Sequence, residues 1–387
     1  MEGRFSFRCI GMLLVIVLTI TTTISPKVSQ TQAKIDSLDW QTVIPDLSTR
    51  IWRSTGPEKN PILYVTTDQD FRRSSDNGNT WDILYPRPPI TQTPGISGMT
   101  FDPATTITPT LFVARNPSTG PAEIQRSTDD GLTWNTVFTT AASALQDLTA
   151  SRAGNGELDV FAVGGAHVWR SEDGGTNWTP AETGLPTGSD LYRVVASPTY
   201  AVDDTLYLAA YGALFRSKNS GDSWERLQIP WLNTPRHVVF SPYYDADGTL
   251  WISYFWIEGH GEYPPNGIAR SRDYGITWKM VNQGLPVNYL DGWIMGVGIS
   301  PNYMADTTLY AVERIVDETW QVYRSQNGGD SWGHLGAAPL VYPTGLLFAG
   351  PEWLFLSSQS GLFRLHIPLV YWYYLPKIFG LGENNSP

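Results

Sequence analysis

Six copies of one nine-residue motif, set at nearly constant spacing, restrict the folds open to this chain more than any other feature. The copies are Arg73-Ser-Ser-Asp76-Asn-Gly78-Asn-Thr-Trp81, Arg126-Ser-Thr-Asp129-Asp-Gly131-Leu-Thr-Trp134, Arg170-Ser-Glu-Asp173-Gly-Gly175-Thr-Asn-Trp178, Arg216-Ser-Lys-Asn219-Ser-Gly221-Asp-Ser-Trp224, Arg270-Ser-Arg-Asp273-Tyr-Gly275-Ile-Thr-Trp278 and Arg324-Ser-Gln-Asn327-Gly-Gly329-Asp-Ser-Trp332. Successive tryptophans stand 44 to 54 residues apart. A repeat of that length carrying several short strands reads as a propeller blade, a unit that hides its apolar faces only against further copies of itself.

The motif is a hairpin turn in chemical terms. An Asp or Asn oxygen accepts hydrogen bonds from backbone N–H groups two residues on. Gly supplies the positive φ of a tight turn, Ser adds a second local bond, and Trp covers the turn with a broad apolar face. Asn219 and Asn327 keep the acceptor without the charge, so the role expected of Asp76, Asp129, Asp173, Asn219, Asp273 and Asn327 is structural. One such residue per blade is too dispersed to share an ion, and no metal or cofactor is expected. The Arg before each Ser is expected to pack its stem along the sheet edge.

A second element recurs as Ser197-Pro198-Thr199-Tyr200-Ala-Val-Asp203, Ser241-Pro242-Tyr-Tyr244-Asp-Ala-Asp247 and Ser300-Pro301-Asn-Tyr303-Met-Ala-Asp306, read as a Pro/Asp turn between strands. In residues 191–228 the four strands of a blade follow as 191–196, 205–211, 213–217 and 224–228. Similar sets fit 96–139, 145–182, 236–282 and 294–335, and 50–85 fits less well. Residues 344–366 offer three strands without a motif, while Asp39–Val43 resembles an outer strand without a blade. Joining the two closes a ring of seven blades, with six and eight as the neighbouring counts, and removes open sheet edges. The expected fold is therefore an all-β seven-bladed propeller of four-stranded antiparallel blades over residues 34–366.

The repeats resemble the Asp-box, or BNR, repeat of bacterial sialidases. They are similar to those of sortilin-type receptors, xyloglucan-cleaving glycosidases and photosystem II assembly factors. The resemblance covers residues 39–366 and implies the propeller. It does not imply one activity, because such proteins range from enzymes to binding modules. The Phe-Arg-Ile-Pro segment of sialidases is missing; Thr49-Arg50-Ile51-Trp52 is the nearest fragment and lacks the Pro. Neither a triad of carboxylate-binding arginines nor a Tyr–Glu nucleophile pair is assignable from the sequence. Xyloglucan-cleaving enzymes work between two propellers, and this chain has length for one. The single-propeller assembly factors match best in layout.

Residues 1–33 read as a secretion signal: Arg4 and Arg8 precede the apolar run Cys9–Ile20, and Thr31-Gln32-Ala33 suits cleavage. The expected product is secreted or held at the cell surface. Cys9 is the only cysteine, so the remaining chain relies on its core. The net charge of −11 disfavours nucleic acid and anionic membranes as partners. Residues 367–387, with Tyr371-Trp372-Tyr373-Tyr374, form an aromatic tail expected either to strap onto the propeller or to attach the protein to a surface.

Ligands are expected on the face opposite the motif turns, where the longest loop, Phe255-Trp256-Ile257-Glu258-Gly259-His260-Gly261-Glu262-Tyr263-Pro264-Pro265, belongs to the fifth blade. Neighbouring loops add Trp231, Arg236 and His237 on one side and Tyr289, Asp291 and Trp293 on the other. Trp256, Glu258, His260, Glu262 and Tyr263 with these residues suit a carbohydrate or protein ligand, through stacking and a few directed hydrogen bonds. The expected function is thus non-catalytic recognition by a monomer. A glycoside hydrolase using Glu258 and Glu262 is the alternative, and an envelope assembly factor the second.

Overall fold

The computed structural model describes residues 38–53, 61–67, 70–86, 96–104, 109–229, 231, 234–255, 266–287, 293–314, 319–339, 342–349 and 352–368. They form seven four-stranded antiparallel sheets. Six are sequential, from the blade of Thr49–Arg53, Leu63–Thr67, Asp70–Ser74 and Asp82–Pro86 to that of Trp293–Ile299, Leu309–Arg314, Trp320–Ser325 and Gly333–Ala338. The seventh joins Pro343–Ala349, Trp353–Ser358 and Gly361–His366 to Trp40–Pro45, with Trp40 opposite Leu365 and Pro45 opposite Gly361. The ring is closed by its own first strand. Thr49–Arg53 is the inner strand of the first blade, although its sequence resembles a third strand.

Each motif turn is a hydrogen-bonded knot. In all six, the buried Ser hydroxyl accepts from the Gly N–H at 2.8–2.9 Å and donates to the Asp or Asn oxygen at 2.7–2.9 Å. The Asp or Asn oxygen accepts from the N–H four residues on in all six turns, and at Asp76 and Asp173 from the third as well, rather than from the second: Asp173 Oδ1 receives Thr176 N at 2.9 Å and Asn177 N at 2.8 Å. Two successive residues take positive φ, as Tyr274 (59°) and Gly275 (80°) do, so the turn winds left-handed for two residues. The Thr133 hydroxyl, then the Thr133 N–H and the Ser127 hydroxyl, pull the Asp129 carboxyl down to about 2.

Every turn also meets the preceding blade. The Cα hydrogens of Gly78, Gly175, Gly221, Gly275 and Gly329 face Phe355, Phe112, Phe161, Tyr207 and Trp251 on its second strand; Gly131 faces Phe71 on its third. The motif arginines do not simply lie along their own sheet edge but reach forward to the next turn. Arg73 pairs with Asp130 at 2.7 Å, Arg126 donates to Gly174 O at 2.8 Å, Arg170 pairs with Asp222 at 2.9 Å, Arg216 donates to Tyr274 O, and Arg270 donates to Gly328 O at 2.7 Å. In the seventh blade, which has no motif, Arg364 reaches Asn79 Oδ1 of the first turn at 2.8 Å.

Two local expectations change. The Ser-Pro segments are not plain turns: Tyr200–Asp203, Tyr244–Asp247 and Tyr303–Asp306 each form one helical turn. The cause is the last Asp, which accepts from the Ser hydroxyl (2.7–2.9 Å) and from the following Thr N–H (2.7–2.9 Å), closing the loop around a helical path. Its Tyr becomes a peg in the preceding blade, as where the Tyr200 hydroxyl donates to Asp159 at 2.5 Å. The tryptophans also divide. Trp81, Trp134, Trp178 and Trp278 are half-buried and donate to the carbonyl of their own turn glycine. Trp224 and Trp332, which follow the Asn motifs, are buried and donate to Ala181 O and Val281 O of the preceding blade, both at 2.8 Å. There the outer strands are only Thr179–Pro180 and Lys279–Met280, and the chain leaves the sheet through Gly184 and Gly284. A Cβ at either glycine would lie 2.4 Å or 2.1 Å from the tryptophan carbonyl oxygen.

Two outcomes are expected. Trp224→Ala empties a buried site shared by two blades and should cost about 3–5 kcal/mol in urea unfolding, with Trp178→Ala costing less and Asp273→Asn under about 1 kcal/mol. Equal losses from all three would contradict the division of tryptophans. Deleting residues 38–45 leaves Gly361–His366 as an open edge; light scattering should report aggregation, whereas a monomer melting like the parent would exclude closure by the first strand.

Candidate functional site

The start of every inner strand lies at the end of the ring opposite the motif turns. In five blades the ladder shifts there, at Ser97, Tyr192, Arg236, Met295 and Thr344. A bulge of this kind turns a side chain out of the regular alternation. Arg236 is held over the Phe255 ring at 4.5 Å, and the Tyr192 hydroxyl donates to the Pro235 carbonyl beside it. Arg236 is therefore placed from two sides.

Three arginines gather at this mouth. Arg50 comes from the first blade, Arg193 from the fourth and Arg236 from the fifth. Arg50 feels the charges of Arg193 and of Asp147 in the third blade, and Arg193 is felt by Arg236 and His237. Groups three blades apart in a ring approach one another only across its centre. Arg50 and Arg236 are exposed to solvent, with neighbouring protein crowding each guanidinium. Burial, then the neighbouring Arg193 charge, lowers the pKa of Arg50. Burial also lowers that of Arg236, and burial with Arg193 and Arg236 holds His237 well below its ordinary value and neutral.

Asp190 is felt at Tyr192, and the carboxylate nearest Arg193 is Asp147. Its Oδ2 lies 3.7 Å from Arg193 Nε and accepts from Val194 N at 3.3 Å, while burial raises its pKa against the pull of Arg193. The guanidiniums are largely without hydrogen bonds. Arg50 donates once, to Ser97 O at 2.7 Å, and neither Arg193 nor Arg236 donates to any described residue.

The residues singled out in the sequence separate. Arg236, His237 and Trp293 stand at the mouth: His237 Nδ1 lies 3.3 Å from Ser253 Oγ, and Trp293 packs tilted against Phe255 at 5.5 Å beneath Arg314 at 5.1 Å. Trp231 packs on Tyr254 at 5.4 Å, within the apolar layer between the fourth and fifth blades. Trp256, Glu258, His260, Glu262, Tyr263, Tyr289 and Asp291 lie outside the described residues. Sequence reasoning missed Arg50, Asp147, Arg193 and Tyr192. The signal was available as a charged residue within the first three positions of an inner strand.

Glu313 was missed as well. It sits on the second strand of the sixth blade, opposite Ile294 and Gln321, on the side of Leu309 and Ala311 that packs against the fifth blade. The residue is fully buried, and neither carboxyl oxygen has a hydrogen-bond partner among the described residues. Burial raises its pKa to about 8, so it is protonated at neutral pH.

No family model matches the chain. It is 25% identical over 206 residues to a Paenibacillus xyloglucanase, covering 53% of this chain and 18% of that protein. It is also 25% identical over 175 residues to the photosystem II assembly lipoprotein Ycf48 of Prochlorococcus marinus, covering 43% of this chain and 45% of that one. The chain thus spans less than half of either relative. Among solved structures it is similar to the GH74 xyloglucanase of Xanthomonas campestris, with TM-score 0.62, 18% identity and coverage of 84% of this chain and 53% of that one. It is similar to Ycf48 bound to D1 peptide, with TM-score 0.58, 15% identity and coverage of 86% and 99%. These likenesses establish the propeller.

Glu313 generates a pH prediction. Its unfolded pKa is about 4.3, so the folded value is raised. The stability linked to its protonated form is complete below the unfolded pKa and is lost as pH rises through about 8. Glu313→Gln removes this dependence. Its stability relative to the parent should climb by roughly a few kcal/mol between pH 5 and 9 and then level. Parallel stability curves for the two proteins would show that Glu313 ionises normally.

Proposed function

We propose that this chain is an exported recognition propeller that binds a protein ligand at the channel mouth opposite the motif turns, without catalysis. The observation that carries this reading is the mouth itself, where the solvent-exposed Arg236 guanidinium lies over Phe255 with the Trp293 ring tilted against it, and Arg50 makes a single hydrogen bond to the fold. Open donors next to aromatic faces hold a ligand by directed bonds and stacking. The likeness to Ycf48, a single propeller whose structure was solved with a peptide bound, supports a protein over a carbohydrate ligand. Residues 1–33 would direct export, and residues 367–387 would attach the product to a surface.

The likeness to GH74 xyloglucanase favours a second reading, hydrolysis of a glycoside by Glu258 and Glu262. Glycosidases need two carboxyl groups roughly 5–10 Å apart astride the bond, whereas the mouth residues described above are mainly cationic and aromatic. A panel of extended peptides assayed beside fluorogenic glycosides and xyloglucan oligosaccharides separates the two. Peptide binding without glycoside turnover is expected, with Kd in the micromolar range, or about −8 kcal/mol. Turnover that disappears in Glu258→Gln would replace the first reading with the second.

A further inference from the structure

We propose that the motif face of the fourth to sixth blades is a lipid-docking surface: Val202, Tyr243, Ile276 and Met304 enter the interface of a bilayer with neutral headgroups, and the channel mouth points away from the membrane. The proposal rests on the reading that the product is attached to a surface. It adds which face of the ring meets that surface and what lipid chemistry it takes.

Its basis is where large hydrophobic side chains stand exposed. Single ones are ordinary on any protein, whereas several on one face mark a contact. Among the described residues eight are exposed, and six of them, Leu132, Val202, Tyr243, Tyr274, Ile276 and Met304, lie on turns of the motif face. Five of the six belong to the fourth, fifth and sixth blades, with Val202 at 88%, Met304 at 66% and Ile276 at 60% of full exposure. These are the blades with a one-turn helix between first and second strands, on the same side of the ring as the motif turns.

The platform beneath the exposed side chains is fixed. Each one-turn helix ends in a left-handed residue, Asp204, Gly248 or Thr307. Its carbonyl accepts from the motif turn of the same blade, from Ser220 N at 3.0 Å, Tyr274 N at 2.9 Å and Gly328 N at 2.9 Å respectively. In the fifth blade the Tyr274 hydroxyl also donates to Asp245 O at 2.8 Å. Paired turns hold the apolar tips in place before contact, which lowers the ordering cost of inserting them.

Both ends of the described chain reach this face. Trp40 precedes Gln41, the partner of Arg364, just as Trp81 precedes Asp82, the partner of Arg73. Trp40 thus takes the place of a motif tryptophan. Ile367, whose N–H donates to Glu352 O at 2.7 Å, lies where a seventh motif turn would begin. The sequence beyond these two points includes the apolar run Cys9–Ile20 and Tyr371-Trp372-Tyr373-Tyr374. Apolar tips separated by exposed polar side chains such as Asp245, Asp247 and Arg272 suit an interface that each tip enters singly, with Tyr at headgroup level. A protein partner would call for a continuous apolar centre. The exposed Asp245 and Asp247 and the total charge of −11 favour neutral over anionic headgroups.

The test places an environment-sensitive dye on the full chain, with Cys9→Ser removing the native thiol, at Met304→Cys, Ala246→Cys or Tyr342→Cys. Tyr342 is exposed and precedes the seventh inner strand, on the mouth side. Phosphatidylcholine vesicles carrying a nitroxide-labelled lipid should quench the dyes at 304 and 246 about threefold or more over the dye at 342, since interfacial residues sit at headgroup depth. Adding Val202→Ser, Ile276→Ser and Met304→Ser to Ala246→Cys should abolish that difference; all three side chains are exposed, so the fold is kept. Replacing part of the phosphatidylcholine with phosphatidylglycerol should weaken it. Equal quenching at 304 and 342 overturns the orientation, and quenching that the serine substitutions leave unchanged overturns the apolar tips as its cause. Quenching that grows with phosphatidylglycerol overturns the neutral lipid. A chain that sediments with the vesicles while the dyes at 304 and 246 stay unquenched is held by its ends alone: docking falls, and attachment to a surface stands. If the chain sediments with neither kind of vesicle, docking and membrane attachment both fall.

Discussion

The bond from a third-strand arginine to the turn of the next blade is the interaction on which the rest of this ring depends. A four-stranded sheet has two apolar faces and cannot be stable alone. What fixes the angle and height at which the next sheet stacks is a directed contact at its rim. Arg126 to Gly174 O, Arg216 to Tyr274 O and Arg270 to Gly328 O supply it, and the same step is made by ion pairs at Arg73 and Arg170. The turn can receive these bonds because two residues wind left-handed and turn a carbonyl outward. Arg364 makes the corresponding contact across the closure, where the seventh blade has lost its own motif but kept the arginine that serves the first.

Beside each of these bonds lies a glycine against an aromatic ring, as Gly175 lies against Phe112 and Gly221 against Phe161. A Cβ at that glycine would press into the ring, so the absence of a side chain lets adjacent blades close up. Aromatic residues of the preceding second strand and the tyrosines of the one-turn helices then fill the gap between sheets. In this way a local turn, specified within nine residues, sets packing between sheets some fifty residues apart in sequence.

Most of the fold was legible because it repeats. Six spaced motifs define the strand pairs on either side of them, and the leftover pieces at each terminus imply closure. What stayed hidden depends on which neighbour a residue meets. Trp178 and Trp224 occupy the same motif position, yet only Trp224 is drawn into the preceding blade, because the chain leaving that blade lies against it at Thr183 and Gly184, where Trp224 N donates to Thr183 O. The helical turns at Tyr200, Tyr244 and Tyr303 arise from an Asp bonded to a Ser six residues earlier, a contact that strand periodicity does not report. Of the residues at the mouth, Arg236, His237 and Trp293 were singled out through loop composition. Arg50, Asp147 and Arg193 were not, because residues nearly a hundred positions apart meet only when the ring closes.

The ring uses its guanidiniums in two opposite ways. At the motif face Arg126, Arg216 and Arg270 end on a carbonyl or carboxylate of the next blade, so each contributes to the stacking of the ring. At the opposite mouth Arg193 is felt by both Arg50 and Arg236, and Asp147 is the carboxylate beside Arg193. Like charges held within protein walls oppose folding, since each lowers the tendency of the next to stay protonated and none gains a full hydrogen-bond set. Packing alone does not call for them: apolar residues at the same inner-strand positions would serve it better, as Met295 does in the sixth blade. A local arrangement that costs stability without a gain inside the fold is where an external partner enters the argument. The contrast between satisfied and unsatisfied arginines on one small ring supports the proposal of recognition at the mouth, with architecture at the motif face.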